Sequence, residues 1–193
     1  MKIVIKAKKG LDNLDFKEIW SYRELFYFLA WRDIKLRYKQ TFFGIAWAVI
    51  QPFTTMIVFS VVFVNLAHVP TDNIPYPIFV YEVLLLLNIF SSGLNSASQS
   101  LIGSVNIIQK VYLPKIIIPA ASVIVILVDF LFASLVFGGI IIYYHFVPHI
   151  EGLLLLPLLL IITIFTTLGL GWFLAAVNVK YRDVRYALPF FIQ

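Results

Sequence analysis

The chain has 193 residues, 61% of them hydrophobic and only 13% charged, with a mean hydropathy of +0.93 and a net charge of +5. A soluble domain is about half apolar and about a quarter charged, and a chain this short cannot enclose so much apolar surface in water, so the composition specifies an integral membrane protein. The absence of cysteine excludes disulfide frameworks, thiol catalysis and thiolate metal sites. The positive charge bears on membrane orientation rather than on nucleic acid.

Residues 1–40 form a charged N-terminal segment, and 41–193 are the membrane domain. In the first segment Ser21-Tyr22-Arg23-Glu24 fits a capping box, which predicts a helix starting at Ser21. Tyr22, Leu25, Phe26, Leu29 and Leu36 fall on one face of that helix, with Glu24, Arg32, Lys35 and Lys39 roughly opposite. Asp33 and Arg37 interrupt the pattern. Basic residues with Trp and Phe suit a helix lying among lipid headgroups. Two readings stay open: a juxtamembrane anchor, or a movable helix at the mouth of a pathway.

Four long apolar stretches follow, at about 42–64, 78–102, 116–144 and 153–177. Each can supply the roughly 20 apolar residues that a bilayer core requires of a helix. The third contains Asp129 and still qualifies. Its residues 118–140 include fourteen Ile, Leu, Val or Phe, worth about −4 to −8 kcal/mol of insertion energy, against about +2.5 to +3.5 for a central Asp. Continuous apolar runs exclude a β-barrel, whose strands alternate. A fifth apolar run begins at 187–193, and the chain is expected to be a fragment cut as that span begins. All fifteen Lys and Arg fall on one side of the four-span arrangement; the positive-inside rule makes that side, with the N-terminus, cytoplasmic. The three His (His68, His145, His149) sit at outer ends and read as surface residues.

The second span carries Asn88, Ser92, Asn95 and Gln99 at spacings that share one helical face. Lipid does not tolerate such a face, so it serves either helix–helix hydrogen bonding, with Gly93 and Ala97 allowing close approach, or a path for a polar substrate. Asp129 needs a cavity or a partner, and since no span contains Lys or Arg, an ion-pair partner must come from elsewhere. Glu82 is nearer the outer boundary. Gln51-Pro52 marks a kink in the first span, and Pro157 with the Gly169–Gly171 pair loosens the fourth. There is no P-loop, no HExxH and no His pair at ligand spacing. The chain therefore reads as no enzyme, with no cofactor or metal of its own. Its energy source is an ion gradient or a second protein.

Several strings, in order, resemble the membrane subunit of ABC-2 type exporters, and within it the permeases for O-antigen, teichoic acid and capsule. They are YRELFYFLAWRDIKLRYKQTFFGIAWAVIQP at 22–52, IPYPIF at 74–79, SSGLNSASQSLIGSVNIIQKVYLPKIIIP at 91–119, LVDF at 127–130 and LAAVNVKYRDVRYALPF at 174–190. The resemblance implies an all-α fold of six spans in a bacterial inner membrane, working as a homodimer. It implies a separate ABC ATPase that uses the ATP and Mg, and a lipid-linked glycan that passes outward. By the same resemblance the N-terminal helix is a gate helix, with Tyr22, Trp31, Arg32 and Arg37 as its candidates. The loop 103–115 is the coupling element, with Asn106, Gln109, Lys110 and Tyr112 facing the ATPase, and Arg182, Asp183 and Arg185 form a second cytoplasmic element. Asn88, Ser92, Asn95, Gln99 and Asp129 remain candidates for the path or for helix packing. The sequence departs from the family's pattern at YEVLLLLNIF, where a small residue, glycine, proline and tryptophan are expected near Glu82, Val83, Leu86 and Leu87. Two other readings are an ion-coupled transporter or channel using Asp129 and Glu82, and a four-span assembly protein.

Overall fold

The computed structural model describes residues 16–39, 46–62 and 74–192. Every element among them is a helix: α1 (Phe16–Ser21), α2 (Arg23–Lys39), α3 (Ala46–Val62), α4 (Tyr76–Gly103), α5 (Val105–Ile108), α6 (Ile117–Tyr143), α7 (Ile150–Lys180) and α8 (Val184–Ile192). Residues 1–15, most of the first loop and residues 42–45 of the first expected span lie outside the described residues.

Three helices among the described residues, α4, α6 and α7, are long and apolar enough to cross a membrane. Helix α3 is apolar too but is described over only 17 residues, the lower limit for a span. Helices α4, α6 and α7 lie over the second, third and fourth apolar stretches with somewhat different ends, and the run expected from 187 falls within α8, which starts at Val184. The loop 103–115 is not wholly irregular. Ser104 breaks α4 and opens the single turn α5.

The expected helix start is displaced. Ser21 ends α1, and α2 begins at Arg23, with the Phe26 amide donating to the Tyr22 carbonyl. The helix expected from Ser21 thus starts two residues later, after a turn at Tyr22. Leu36, placed on the apolar face by pattern, is 52% exposed.

Helix α4 is central, packed on α3, α6 and α7, and α6 carries α2 on its flank. Two apolar clusters lie along α6. Leu29 and Ala30 of α2 meet Leu113, Ile117, Ile118 and Ala121 at its N-terminal end. Met56 of α3 and Ile78, Tyr81 and Leu85 of α4 meet Ala133, Phe137 and Ile140 further on. Asp129 falls between the clusters.

Because lipid tails are as apolar as leucine, packing density rather than water exclusion holds such helices together. The α4–α7 seam shows how. A methyl group added at Gly93 would come within 2.7 Å of Thr167 Cγ2, and one at Gly171 within 2.7 Å of the Ala97 methyl. Gly171 therefore tightens the fourth span against α4 instead of loosening it, while Gly169 faces open space. The rest of α7 shows apolar side chains such as Leu154, Phe165 and Phe173 over most of its circumference, as a helix facing hydrocarbon does.

The turn that follows α6 is made at His145, which has a φ of 50°. The Phe146 amide reaches back to the Ile141 carbonyl and the His145 amide to Ile142, the Schellman pattern in which glycine is the usual left-handed residue. His145 is exposed, as its sequence position suggested, and its backbone turns the chain toward α7.

Candidate functional site

Some of the polar residues of the spans meet at a cavity of about 210 Å³ in the gap between the two apolar clusters. Arg37 and Tyr38 of α2, Trp47 and Gln51 of α3, Asn88 and Ser92 of α4, and Asp129 of α6 line it, with Leu85, Ile89, Ile126, Phe130 and Ala133 completing the wall. Asp129 lies midway along α6, about 18 Å from its start at 1.5 Å per residue.

Asp129 organises the site. One carboxylate oxygen lies 2.6 Å from an Arg37 guanidinium nitrogen, and the other accepts a hydrogen bond from the Tyr38 hydroxyl. The Asp129 side chain is 12% exposed and that of Arg37 43%. An isolated carboxylate in this position would be costly; with both partners it is neutralised and hydrogen-bonded. Burial foremost, and then the bond to Asp129, raises the Tyr38 hydroxyl well above its ordinary value, so it stays protonated and donates. Its ring packs edge-on against Phe132, with centroids 6.5 Å apart.

The partner could be sought in the sequence but not identified there. Positions 22, 26, 29, 33 and 37 share one face of a 3.6-residue helix, so Arg37 interrupts the apolar pattern because that face meets α6. Tyr38 and Trp47 carried no signal beyond their abundance as aromatics.

The stripe on α4 divides. Asn88 and Ser92 line the cavity, and the Ser92 hydroxyl donates to Asn88 Oδ1 at 2.8 Å. Asn95 and Gln99 lie beyond it and satisfy each other within α4, Gln99 Nε2 to Asn95 Oδ1 at 2.7 Å. Gly93 and Ala97, expected to allow close approach, meet α7 at Thr167 and Gly171, on a side of α4 turned away from this stripe. Sequence reasoning missed Asn178, fully buried on α7, whose Nδ2 donates to the Ser98 carbonyl at 2.9 Å. Its Oδ1 has no hydrogen-bond partner among the described residues.

The remaining candidates lie elsewhere. Tyr22 is half-buried beside the cluster at Leu29. Trp31 is exposed, stacked on Tyr27 at 6.4 Å with the Lys35 ammonium 5.5 Å from its ring centre. Arg32 pairs with its neighbour Asp33 at 2.6 Å. Asn106, Gln109, Lys110 and Tyr112 are all exposed on α5 and the turn after it. Arg182, Asp183 and Arg185 are exposed where α7 turns into α8. Glu82 is exposed on α4 and takes no part in the cavity. Trp172 donates its indole N–H to the Ile116 carbonyl at 3.1 Å, tying α7 to the start of α6. No group of three or more metal-ligating side chains occurs among the described residues.

The ABC-2 type transporter family matches residues 24–193. The O-antigen export system permease protein RfbA of Myxococcus xanthus is 30% identical over 176 residues, which is 88% of this chain and 64% of that protein. A protein of the same name from Klebsiella pneumoniae is 26% identical over 153 residues, 79% of this chain and 58% of that protein. The chain thus spans about three fifths of the length of the curated relatives it matches. The match runs through the α2 helix that pairs with Asp129, the α4–α7 seam and α8, and with it the chain belongs to the ABC-2 type transporter family.

Proposed function

We propose that the chain is part of the permease subunit of an ATP-driven polysaccharide exporter in a bacterial inner membrane. The observation that carries the reading is the alignment of 88% of the chain with a protein named as an O-antigen export permease. The exposed turn around α5, with Asn106, Gln109, Lys110 and Tyr112, is the surface on which a separate ATPase bears. That ATPase uses the ATP and Mg. Arg182, Asp183 and Arg185 stand on the same, cytoplasmic, side as the N-terminus. A second copy completes the path for a lipid-linked glycan. Movement of a short stiff element at the end of α4 and α6 tilts both helices as rigid bodies.

The ion-coupled alternative is less favoured because Arg37 and Tyr38 engage both oxygens of Asp129, and a cation or proton would have to displace them. The test is affinity purification from native membranes. A P-loop ATPase should be retained, and Lys110→Glu should weaken its retention while membrane insertion stays normal. Finding no such ATPase would sink the reading. Undiminished retention by Lys110→Glu would count against the coupling surface alone.

A further inference from the structure

Met56 of α3 belongs to the apolar cluster that holds α3 and α4 against α6. Beside it, at the end of the bundle opposite the loop 103–115, lies a second cavity of about 600 Å³. Phe53, Met56 and Ser60 of α3, Pro77 at the start of α4, and Gly139 and Tyr143 near the end of α6 line it. Met56 is only 6% exposed, whereas Phe53, well inside the apolar helix, is exposed. The cavity therefore opens sideways, at the depth of hydrocarbon, and ends on a buried side chain.

Two features of the wall have no partner among the described residues. Gly139 stands inside α6, about one turn before its end, where glycine weakens a helix. At Gly93 and Gly171 a neighbouring helix accounts for the glycine, but a methyl group added at Gly139 would meet nothing within 4 Å. The Ser60 hydroxyl is buried with no hydrogen-bond partner among the described residues, and it needs only to rotate to donate to an acceptor in the cavity. The remaining wall is apolar or tyrosine. Water leaves such a cavity, and apolar molecules fill it. The volume falls within the roughly 300–1,000 Å³ of ligand pockets. Tyr143, exposed at the end of α6, suits the boundary where headgroups begin.

We infer that this cavity binds one acyl chain of a bilayer phospholipid, drawn from the leaflet opposite the basic segments. Gly139 leaves room for the chain, and Ser60 donates to its ester carbonyl. The inference rests on the membrane fold, not on the exporter reading, and its test involves neither glycan nor ATPase.

The full chain is reconstituted in vesicles of phosphatidylethanolamine and phosphatidylglycerol, with a fraction of the phosphatidylglycerol carrying a diazirine on one acyl chain. After irradiation, peptide mass spectrometry locates the adducts. Leu154, 69% exposed near the start of α7, reports ordinary lipid contact at the same end of the bundle. Met56 should carry adducts at least as often as Leu154, despite its burial. Gly139→Leu, which fills the cavity, should reduce adducts at Met56 about tenfold, as a clash worth one overpacked side chain would, and leave Leu154 unchanged. Ser60→Leu fills it from the opposite wall and decides the matter if Gly139→Leu does not fold, helix content being checked by circular dichroism. Adducts confined to exposed residues such as Leu154, or undiminished labelling of Met56 in a folded filled variant, would overturn the site. So would loss of the Met56 adducts on adding a polyprenyl phosphate, which would assign the cavity to an isoprenoid chain instead.

Discussion

The guanidinium of Arg37, near the end of α2, lies 2.6 Å from a carboxylate oxygen of Asp129 at the middle of α6. No basic residue within a span could meet this acid, and a helix from outside the expected spans supplies one. Removing either charge leaves the other poorly compensated. Arg37→Gln and Asp129→Asn should each destabilise the protein by about 2–3 kcal/mol, toward the low side for buried pairs because Arg37 is part-exposed. The double variant should cost less than the sum by at least about 1 kcal/mol. Thermal unfolding of the four proteins in detergent gives the cycle, and strict additivity would remove the pair from the forces holding α2.

Tyr38 donates to the same carboxylate. Tyr38→Phe should cost about 1–2 kcal/mol, less than loss of the charge, as for a hydrogen bond to an ionised acceptor. The folded-state pKa lies above the ordinary 10.0. Its contribution is therefore complete below pH 10 and declines as pH rises through the folded-state value. A stability profile from pH 7 to 11 should lose part of its alkaline decline in Tyr38→Phe. An unchanged profile would assign that decline to other groups.

The α4–α7 seam separates the glycines. Gly93→Ala, which meets Thr167 Cγ2 at 2.7 Å, should destabilise by about 1–3 kcal/mol through overpacking. Thr167→Ser, which removes that methyl, should restore most of the loss. Gly169→Ala faces open space and should be neutral or stabilising by up to about 1 kcal/mol. Equal effects at 93 and 169 would argue against the close approach.

His145 occupies a left-handed backbone position with a φ of 50°. Glycine adopts this conformation without a Cβ penalty, so His145→Gly should stabilise the turn after α6, or leave it unchanged, within about 1 kcal/mol. His145→Val should cost more than His145→Ala, because branching at Cβ worsens the clash. Circular dichroism melts rank the three, and a ranking that follows hydrophobicity would point to side-chain packing at 145 instead.

The sequence by itself determined the membrane class, the positions of the long apolar helices and the presence of a buried acid needing a partner. These are local properties: apolar run length and charge spacing act residue by residue along one helix, and the bilayer thickness supplies the ruler. Even the family was legible, because long ordered strings such as the one from Tyr22 to Pro52 survive without any contact being known. Only the tertiary structure decided which helices those polar groups meet. Asn88 and Asn95 share a helical face, yet one lines a cavity and the other bonds within α4, since the cavity spans only the gap between two apolar clusters. Gly169 and Gly171 are two positions apart, yet only Gly171 meets Ala97, because two residues rotate the helix by about 200°. Arg37 and Asp129 are far apart in the chain, and their pairing depends on where α2 lies along α6, a choice made by packing at Leu29 and Ala30 that no local pattern encodes.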